Sequence, residues 1–183
     1  MFPVDLVGPR LRLREFSVAD AEAYLSLITH PDVFDSILDE ERATLDMVVT
    51  LLTERHRAAQ ETDRKVYELA VTLDGRLIGS CGLSNFHVAN RRAELGYLIH
   101  PEQQRKGYAS EAAKLIIQFG FRELGLHRIE ATTAPNNAGS SRVLEKIGMT
   151  YEGLSRDYRR VRGVWRDSLR YAILATDTGA PAQ

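Results

Sequence analysis

A glycine-containing turn at residues 104–109 (QRKGYA) stands between an apolar run that ends at Ile99 and a long helical pattern that begins near Ser110. A strand, a tight turn and a helix in this order leave several backbone N–H groups unpaired at the positive end of the helix dipole. Such a turn is a ready site for an anion, including a phosphate group of a ligand. The pattern Q-x-x-G-x-A is weak by itself, because a plain surface turn before a helix explains it as well.

The composition is that of an ordinary globular chain. Its 183 residues fit one domain, and 44% hydrophobic with 27% charged residues are enough for a core without disulfides. The formal net charge of −1 creates no general field that would attract nucleic acid, and the basic stretch from Arg156 to Arg166 is interrupted by Asp157. We therefore expect a single domain over residues 1–175 and no nucleic-acid partner.

The one cysteine, Cys81, excludes a disulfide framework or a cysteine-based zinc cluster within the chain. It lies in an alternating apolar run, which favours a buried thiol over a catalytic one. The N-terminus lacks the basic and then apolar layout of a signal peptide, and no run of about 18 apolar residues could cross a membrane. We expect a cytoplasmic protein with neither a membrane partner nor a bound metal.

Hydrophobic periodicity and turn residues predict a mixed α/β order of elements. Asp74-Gly75 is the strongest turn signal and predicts a hairpin, while Ser17 followed by Asp20 predicts a helix start. The predicted strands are residues 11–16, 67–73, 76–83, 92–99, 128–133, 149–162 and 164–174, and the predicted helices are residues 17–27, 43–60, 110–124 and 137–147. Residues 33–41 are expected to be irregular or short-helical, and residues 176–183 to form a disordered tail.

Further motifs stand in a fixed order around the turn: AELGY at residues 93–97 before it, then HRIEA at 127–131, NNAGS at 136–140 and LEKIGM at 144–149. This ordered set resembles the GNAT superfamily of acetyl-CoA-dependent N-acyltransferases, and within it the ribosomal-protein N-terminal acetyltransferase (Rim-type) branch. The resemblance runs from about residue 11 to residue 174 and is specific to the family, not to a substrate. It implies a twisted, mixed sheet of six to seven strands flanked by helices. The fourth and fifth predicted strands, residues 92–99 and 128–133, would splay apart to admit the cofactor.

The cofactor implied by the resemblance is acetyl-CoA. The turn's amides would grip the pyrophosphate of coenzyme A, where Gly107 lets the backbone approach the phosphates and Ala109 keeps the start of the helix small. The backbone freed at the splay would pair with the pantetheine arm as if the arm were an added strand. The resemblance assigns cofactor contacts to Leu98, Ile99, His100, Arg105, Lys106, Gly107, Tyr108, Ala109, Ser110 and Asn137.

The helix after the fifth predicted strand carries the candidate acid. Asn137 matches the family's asparagine near the thioester, although a helix cap explains it equally well. Leu144 stands where many members have a tyrosine that protonates the leaving thiolate. The Rim-type branch has a serine one turn into this helix, and Ser140 occupies that place. Ser140 is therefore the candidate acid, and a serine that merely satisfies helix amides is the alternative.

Glu94 is the candidate base. The attacking amine must lose a proton, because an ammonium group has no lone pair. Glu94 lies on the strand that leads to the splay, on one face with Gly96 and Leu98 by the alternation of strand side chains. A structural ion pair with Arg92 or Arg128 is the alternative.

These features predict an acetyl-CoA:amine N-acetyltransferase that works by direct attack in a ternary complex. A covalent acetyl-enzyme is not expected, since Cys81 is assigned to the core. Tyr97, on the face opposite Glu94, is also expected in the core. The resemblance implies a protein or peptide α-amine as acceptor, held between the first helices and the terminal hairpin. A small-molecule amine, such as an antibiotic or a polyamine, and a non-catalytic acyl-CoA-binding module are the alternatives, and a homodimer is compatible with the sequence.

Overall fold

The computed structural model describes residues 3–34 and 43–178, in which eight strands form one sheet. The strands are β1 (Asp5–Val7), β2 (Leu11–Arg14), β3 (Tyr67–Leu73), β4 (Arg76–His87), β5 (Arg92–Ile99), β6 (Arg128–Thr133), β7 (Thr150–Val161) and β8 (Val164–Leu174). The helices are α1 (Ala21–Ile28), α2 (Pro31–Phe34), α3 (Leu45–Ala58), α4 (Tyr108–Arg122) and α5 (Ala138–Lys146). Their order across the sheet is β1-β2-β3-β4-β5-β6-β8-β7, and the pairing is antiparallel except between β5 and β6.

The predicted mixed α/β fold is confirmed, and all seven predicted strands are present. The eighth, β1, escaped prediction because three residues are too short to show alternation. Helix α4 starts two residues earlier than predicted, since Gly107 is its N-cap. The predicted tail instead begins with a 3₁₀ turn at Ala175–Thr178, where the Asp177 carboxylate accepts a hydrogen bond from the Leu174 amide. Residues 35–41 and 179–183 of the predicted irregular segment and tail lie outside the described residues.

The sheet has a helix layer on each face, and β5 contributes side chains to both. Ala93, Leu95 and Ile99 of β5 are buried in the larger core cluster with α4. Leu98, which points to the other face, packs against the cluster formed by α1 and α3. Residues next to one another on β5 therefore face different sides of the sheet. No helix among the described residues is long and apolar enough to cross a membrane.

The splay predicted between the fourth and fifth strands is present, between β5 and β6 in the observed numbering. Pairing between them stops at Glu94 and Glu130, although β5 continues to Ile99 and β6 to Thr133. Beyond that point each strand stays paired on its outer side, β5 to β4 and β6 to β8. A gap therefore opens inside a sheet whose two halves remain ordered.

An ion-pair cluster around Glu130 holds the closed end of this gap. The Glu130 carboxylate accepts hydrogen bonds from Arg92 at 3.1 Å and Arg128 at 2.7 Å, and Arg170 lies 3.6 Å away. Burial would raise the pKa of Glu130, but the two bonded arginines outweigh burial and hold the pKa below its ordinary value. The carboxylate is thus charged at neutral pH and ties β5, β6 and β8 together where the gap begins.

Candidate active site

The turn before α4 exposes unpaired amides. Gly107 caps the helix with φ +85°, and Arg105 also adopts a left-handed conformation with φ +62°. Within residues 101–122, all of which are described, the N–H groups of Gly107, Tyr108, Ala109 and Ser110 have no protein acceptor. The structure thus has four free amides at the positive end of a fifteen-residue helix, an arrangement that suits an anion, and the anion site itself stays a prediction.

Contacts with the N-terminal segment hold this turn in place. Glu111 of α4 accepts hydrogen bonds from the backbone amides of Arg10 and Leu11 at 2.9 and 3.1 Å, and from the Arg10 guanidinium at 2.7 Å. Arg10 also donates to the carbonyl oxygen of Lys106 at 3.0 Å and lies over the Tyr108 ring, 4.7 Å from its centroid. Burial would raise the pKa of Glu111, but these hydrogen bonds outweigh it and keep the pKa below its ordinary value.

Replacing Glu111 with glutamine should therefore loosen the turn. We expect a loss of about 1 kcal/mol in the free energy of unfolding and a rise of a few-fold in the KM for acetyl-CoA, because a charge-assisted bond becomes a neutral one. Glu111 stabilises the fold at neutral pH, and its contribution disappears as the pH falls through its lowered pKa. The stability gap between the wild type and Glu111→Gln, measured by urea unfolding, should thus close in acid. Glu123→Gln at the exposed end of the same helix is the control, and a gap that is independent of pH would contradict this account.

The backbone of β5 at the gap differs from the prediction for two residues. The His100 amide donates to the Ile78 carbonyl oxygen at 2.8 Å, so the antiparallel ladder directs the backbone groups of His100 and Leu98 toward β4. The backbone role predicted for Leu98 and His100 is therefore corrected. The backbone groups of every second residue of β5 point into the gap instead. Of Leu98, Ile99 and His100, only Ile99 has its backbone groups on that side. Its carbonyl oxygen also accepts a hydrogen bond from the Gln104 side chain at 3.0 Å.

The gap is bridged by two hydroxyl groups. The Tyr97 hydroxyl lies 2.8 Å from the Oγ of Ser140, at the start of α5, and 3.3 Å from the Ser140 carbonyl oxygen. The Ser140 amide in turn donates to the Asn137 side chain at 3.0 Å, so Asn137 does cap the helix. Burial raises the pKa of Tyr97 to about 12, so its hydroxyl stays protonated at neutral pH. Tyr97 packs against the core as predicted, but its contact with Ser140 was missed, because no sequence spacing relates β5 to α5.

Glu94 lies on the other face of the sheet, at the point where the gap opens. Its carboxylate accepts hydrogen bonds from Asn85 at 2.8 Å and from Thr132, on the unpaired part of β6, at 3.2 Å. Arg92 and Arg128 bind Glu130 instead, and Glu94 makes no ion pair among the described residues. The alternative interpretation of Glu94 as an ion-pair partner is therefore wrong. Asn85 and Thr132, which orient the carboxylate, were not found from the sequence.

The arrangement combines an anion site, a slot between two strands and polar groups on both faces of the slot. Leu144 is 1% exposed and belongs to the core, so no acid replaces the missing tyrosine at that position. Among the described residues, no His, Cys, Asp and Glu side chains converge to hold a metal ion. The thiol of Cys81 is fully buried, and burial raises its pKa, so it is not a nucleophile.

In this sheet two neighbouring strands splay apart, and a turn with unpaired amides follows one of them. This is the architecture of an acyl-CoA-dependent N-acetyltransferase. Residues 10–150 match the family model for the acetyltransferase (GNAT) domain, and the chain belongs to this family. It is an acyltransferase that uses acetyl-CoA and acts on an amine.

Two of the similar proteins align with almost the whole chain, and a third aligns with about three fifths of it. The probable N-acetyltransferase YjcK of Bacillus subtilis is 33% identical over 177 residues, which are 94% of this chain and 98% of YjcK. The spermidine N(1)-acetyltransferase of Escherichia coli is 31% identical over 111 residues, 61% of this chain and 60% of that enzyme. The crystal structure of Mycobacterium smegmatis RimJ in complex with CoA-disulfide superimposes with a TM-score of 0.85 at 27% identity, covering 98% of this chain and 90% of RimJ.

Proposed function

We propose that this enzyme acetylates the N-terminal α-amine of a protein or peptide by direct attack, with Glu94 as the base and Ser140 as the acid. The observation that carries the proposal is that these two side chains lie on opposite faces of the same gap. Glu94 is on the face of α1 and α3, whereas Ser140 is on the face of α4 and α5. A thioester placed in the gap would have the base on one side and the acid on the other.

The two groups account for the protons of the reaction. Glu94, directly or through a water molecule, takes a proton from the amine, whose nitrogen then attacks the thioester carbonyl carbon. A C–N bond forms, and the C–S bond breaks with its electron pair on sulfur. The proton that the new amide nitrogen sheds passes to solvent through Glu94. Ser140 donates a proton to the departing thiolate and takes one from the Tyr97 hydroxyl, 2.8 Å away, and Tyr97 regains its proton from solvent. No oxidant, reductant or metal is needed.

Apart from Leu98 and His100, the remaining predicted residues bind the cofactor in this proposal. The amides of residues 105–110 hold the pyrophosphate, and the backbone of Ile99 pairs with the pantetheine arm along the open edge of β5. Lys106 donates from its ammonium group to Gln103 at 3.0 Å, so its side chain stays beside the turn. Asn137 caps α5, and in this proposal it also contacts the pantetheine arm near the thioester.

A small-molecule amine is the second candidate for the acceptor, because the spermidine acetyltransferase of Escherichia coli is a relative of this chain. Two arguments support a peptide instead. Ser140 matches the serine of the Rim-type branch, and RimJ aligns over nearly the whole chain. The test is an acceptor panel of peptides with free and blocked N-termini, polyamines and aminoglycosides, scored by mass spectrometry and by CoA release. Acetylation of the polyamines alone would overturn the peptide proposal.

Ser140→Ala should lower kcat about 10-fold to 100-fold and leave acetyl-CoA binding nearly constant, since the hydroxyl acts only when the thiolate leaves. Steady-state kinetics and calorimetry with CoA measure the two effects. The neighbouring Ser141→Ala is the matched control and should retain wild-type kcat. If Ser140→Ala loses stability and activity in parallel, Ser140 is only part of the helix start.

A further inference from the structure

The fold itself does not require the glycine at position 96. Gly96 lies in the middle of β5, and its φ is not positive, so other residues could adopt the same backbone conformation. No atom of the described residues lies within 4 Å of a Cβ built on Gly96, so packing does not exclude a side chain either. Glycine weakens a strand, because it has no side chain to pack and loses the most conformational freedom on folding. Its presence at this position therefore needs another reason.

The neighbouring glycines of the sheet differ from Gly96 in this respect. Gly82 of β4 is paired with Gly96, and a Cβ on Gly82 would collide with the Tyr67 carbonyl oxygen. A Cβ on Gly79 would collide with the Leu98 carbonyl oxygen. Close backbone packing thus accounts for both of these glycines. Gly96, by contrast, is exposed, although it belongs to an inner strand of a sheet with helices on both faces.

The open space above Gly96 is on the face of the sheet that an acceptor can reach. The turn proposed to hold the pyrophosphate precedes α4, which packs on the face of Ala93 and Leu95. The cofactor of the proposed function therefore reaches the gap from that face. Glu94, Gly96 and Leu98 alternate with these residues and lie on the opposite face, which the cofactor leaves free. An acceptor amine would meet the thioester from this side.

The space adjoins the proposed base on one side. Along β5, the residues of this face nearest to Glu94 are Arg92 and Gly96, each about 6.6 Å away. Arg92 donates to Glu130 at 3.1 Å, so the ion-pair cluster occupies the closed end of the gap. The side toward Gly96 is open, and beyond it Leu98 packs against the apolar cluster of α1 and α3. Among the described residues, an amine at Glu94 therefore finds room for a substituent in the direction of Gly96.

We infer that Gly96 determines specificity for the acceptor, because its missing side chain leaves room for the side chain of the acceptor's first residue. That side chain stands on the carbon next to the reacting amine, so an amine held at Glu94 places it above Gly96. A larger residue at position 96 would restrict the enzyme to acceptors with a small first residue. The cofactor would not be affected, since the backbone groups of Gly96 are directed toward β4, as are those of Leu98 and His100. This inference rests on the proposed peptide acetylation.

The experiment compares two peptides that differ only in a first residue of glycine or leucine. We expect the wild type to acetylate both, with kcat/KM values within about 10-fold of each other. Gly96→Val should lower kcat/KM on the order of 100-fold for the leucine peptide and no more than about 3-fold for the glycine peptide, because two branched side chains would compete for one space. Gly96→Ala should act in the same direction by about 10-fold. Calorimetry should show the same CoA affinity in all three proteins.

The variants should fold as well as the wild type. Valine favours a strand over glycine, and a Cβ at position 96 meets no described atom, so thermal unfolding should occur at the same or a higher temperature. Gly96→Ala carries the same comparison if the valine variant does not fold. Arg76→Val is the matched control, since Arg76 is exposed and precedes the part of β4 that pairs with β5. It should keep wild-type rates with both peptides.

Three results would overturn the role of Gly96. They are a wild type that acetylates the glycine peptide alone, equal losses with the two peptides in the Gly96 variants, and no loss with either peptide.

Failure of the proposed function has a different signature, namely CoA release with polyamines but no acetylation of any peptide. The same space is then tested with spermidine and a spermidine analogue that carries a methyl group on the carbon beside each primary amine. A loss in Gly96→Val that is confined to the methylated amine supports the role of Gly96, and equal effects on the two amines overturn it.

Discussion

Glu94→Gln is expected to lower kcat about 100-fold to 1000-fold at neutral pH with little change in acetyl-CoA affinity, because general bases contribute on this scale. The amide keeps the shape of the side chain and can still accept a hydrogen bond from Asn85 or Thr132, but it cannot take a proton from the amine. The structure strengthens this expectation, since the ion pair that would have given Glu94 a purely structural role is not formed.

The pH profile separates the chemical role of Glu94 from a structural one. A peptide α-amine has a pKa of about 8, so it loses its proton without help as the pH rises to 9. The deficit of Glu94→Gln should therefore shrink in alkali with a peptide acceptor. Glu54→Gln, on the exposed side of α3, is the control and should show wild-type turnover at every pH. Wild-type turnover of Glu94→Gln at neutral pH, or a loss of activity only through unfolding, would show that the base is elsewhere.

Gly107→Val should weaken acetyl-CoA binding on the order of 100-fold. The φ of +85° at this position is unfavourable for any residue with a Cβ, and most of all for a β-branched one. A new Cβ would meet only Arg10 Nη2 at 3.5 Å, an ordinary contact, so backbone strain and not collision is the cause. If the turn relaxes and two amides lose the pyrophosphate, about 3 kcal/mol of binding is lost.

Gly75→Val offers a matched control for the strain itself. Gly75 has φ +78° in the turn between β3 and β4, and nothing lies within 4 Å of an added Cβ. Both variants should lose similar stability in thermal unfolding, but only Gly107→Val should lose CoA affinity in calorimetry. Unchanged CoA affinity with an intact fold in Gly107→Val, or equal affinity losses in the two variants, would contradict the phosphate role of the turn.

The sequence by itself determined the features that depend on neighbours along the chain. Alternating side chains located seven strands, and Asp74-Gly75 located the hairpin, because period and turn chemistry are local properties. The QRKGYA turn predicted a set of unpaired amides for the same reason, since a glycine next to a helix start leaves its amides unpaired wherever the helix lies. The splay and the candidate acid Ser140 were predicted from the ordered motifs that resemble the family, and the candidate base Glu94 was predicted from strand alternation beside that splay.

Only the tertiary structure decided which side chains meet across the gap. Tyr97 and Ser140 are 43 residues apart, and Thr132 is 38 residues from Glu94, so no spacing in the chain predicts either contact. The backbone direction of His100 likewise depends on its partner in β4. The burial of Ser168 depends on how the hairpin folds over the sheet. These contacts depend on how strands and helices that are far apart in the sequence pack together. A single sequence contains the residues that make the contacts, but it does not specify their geometry.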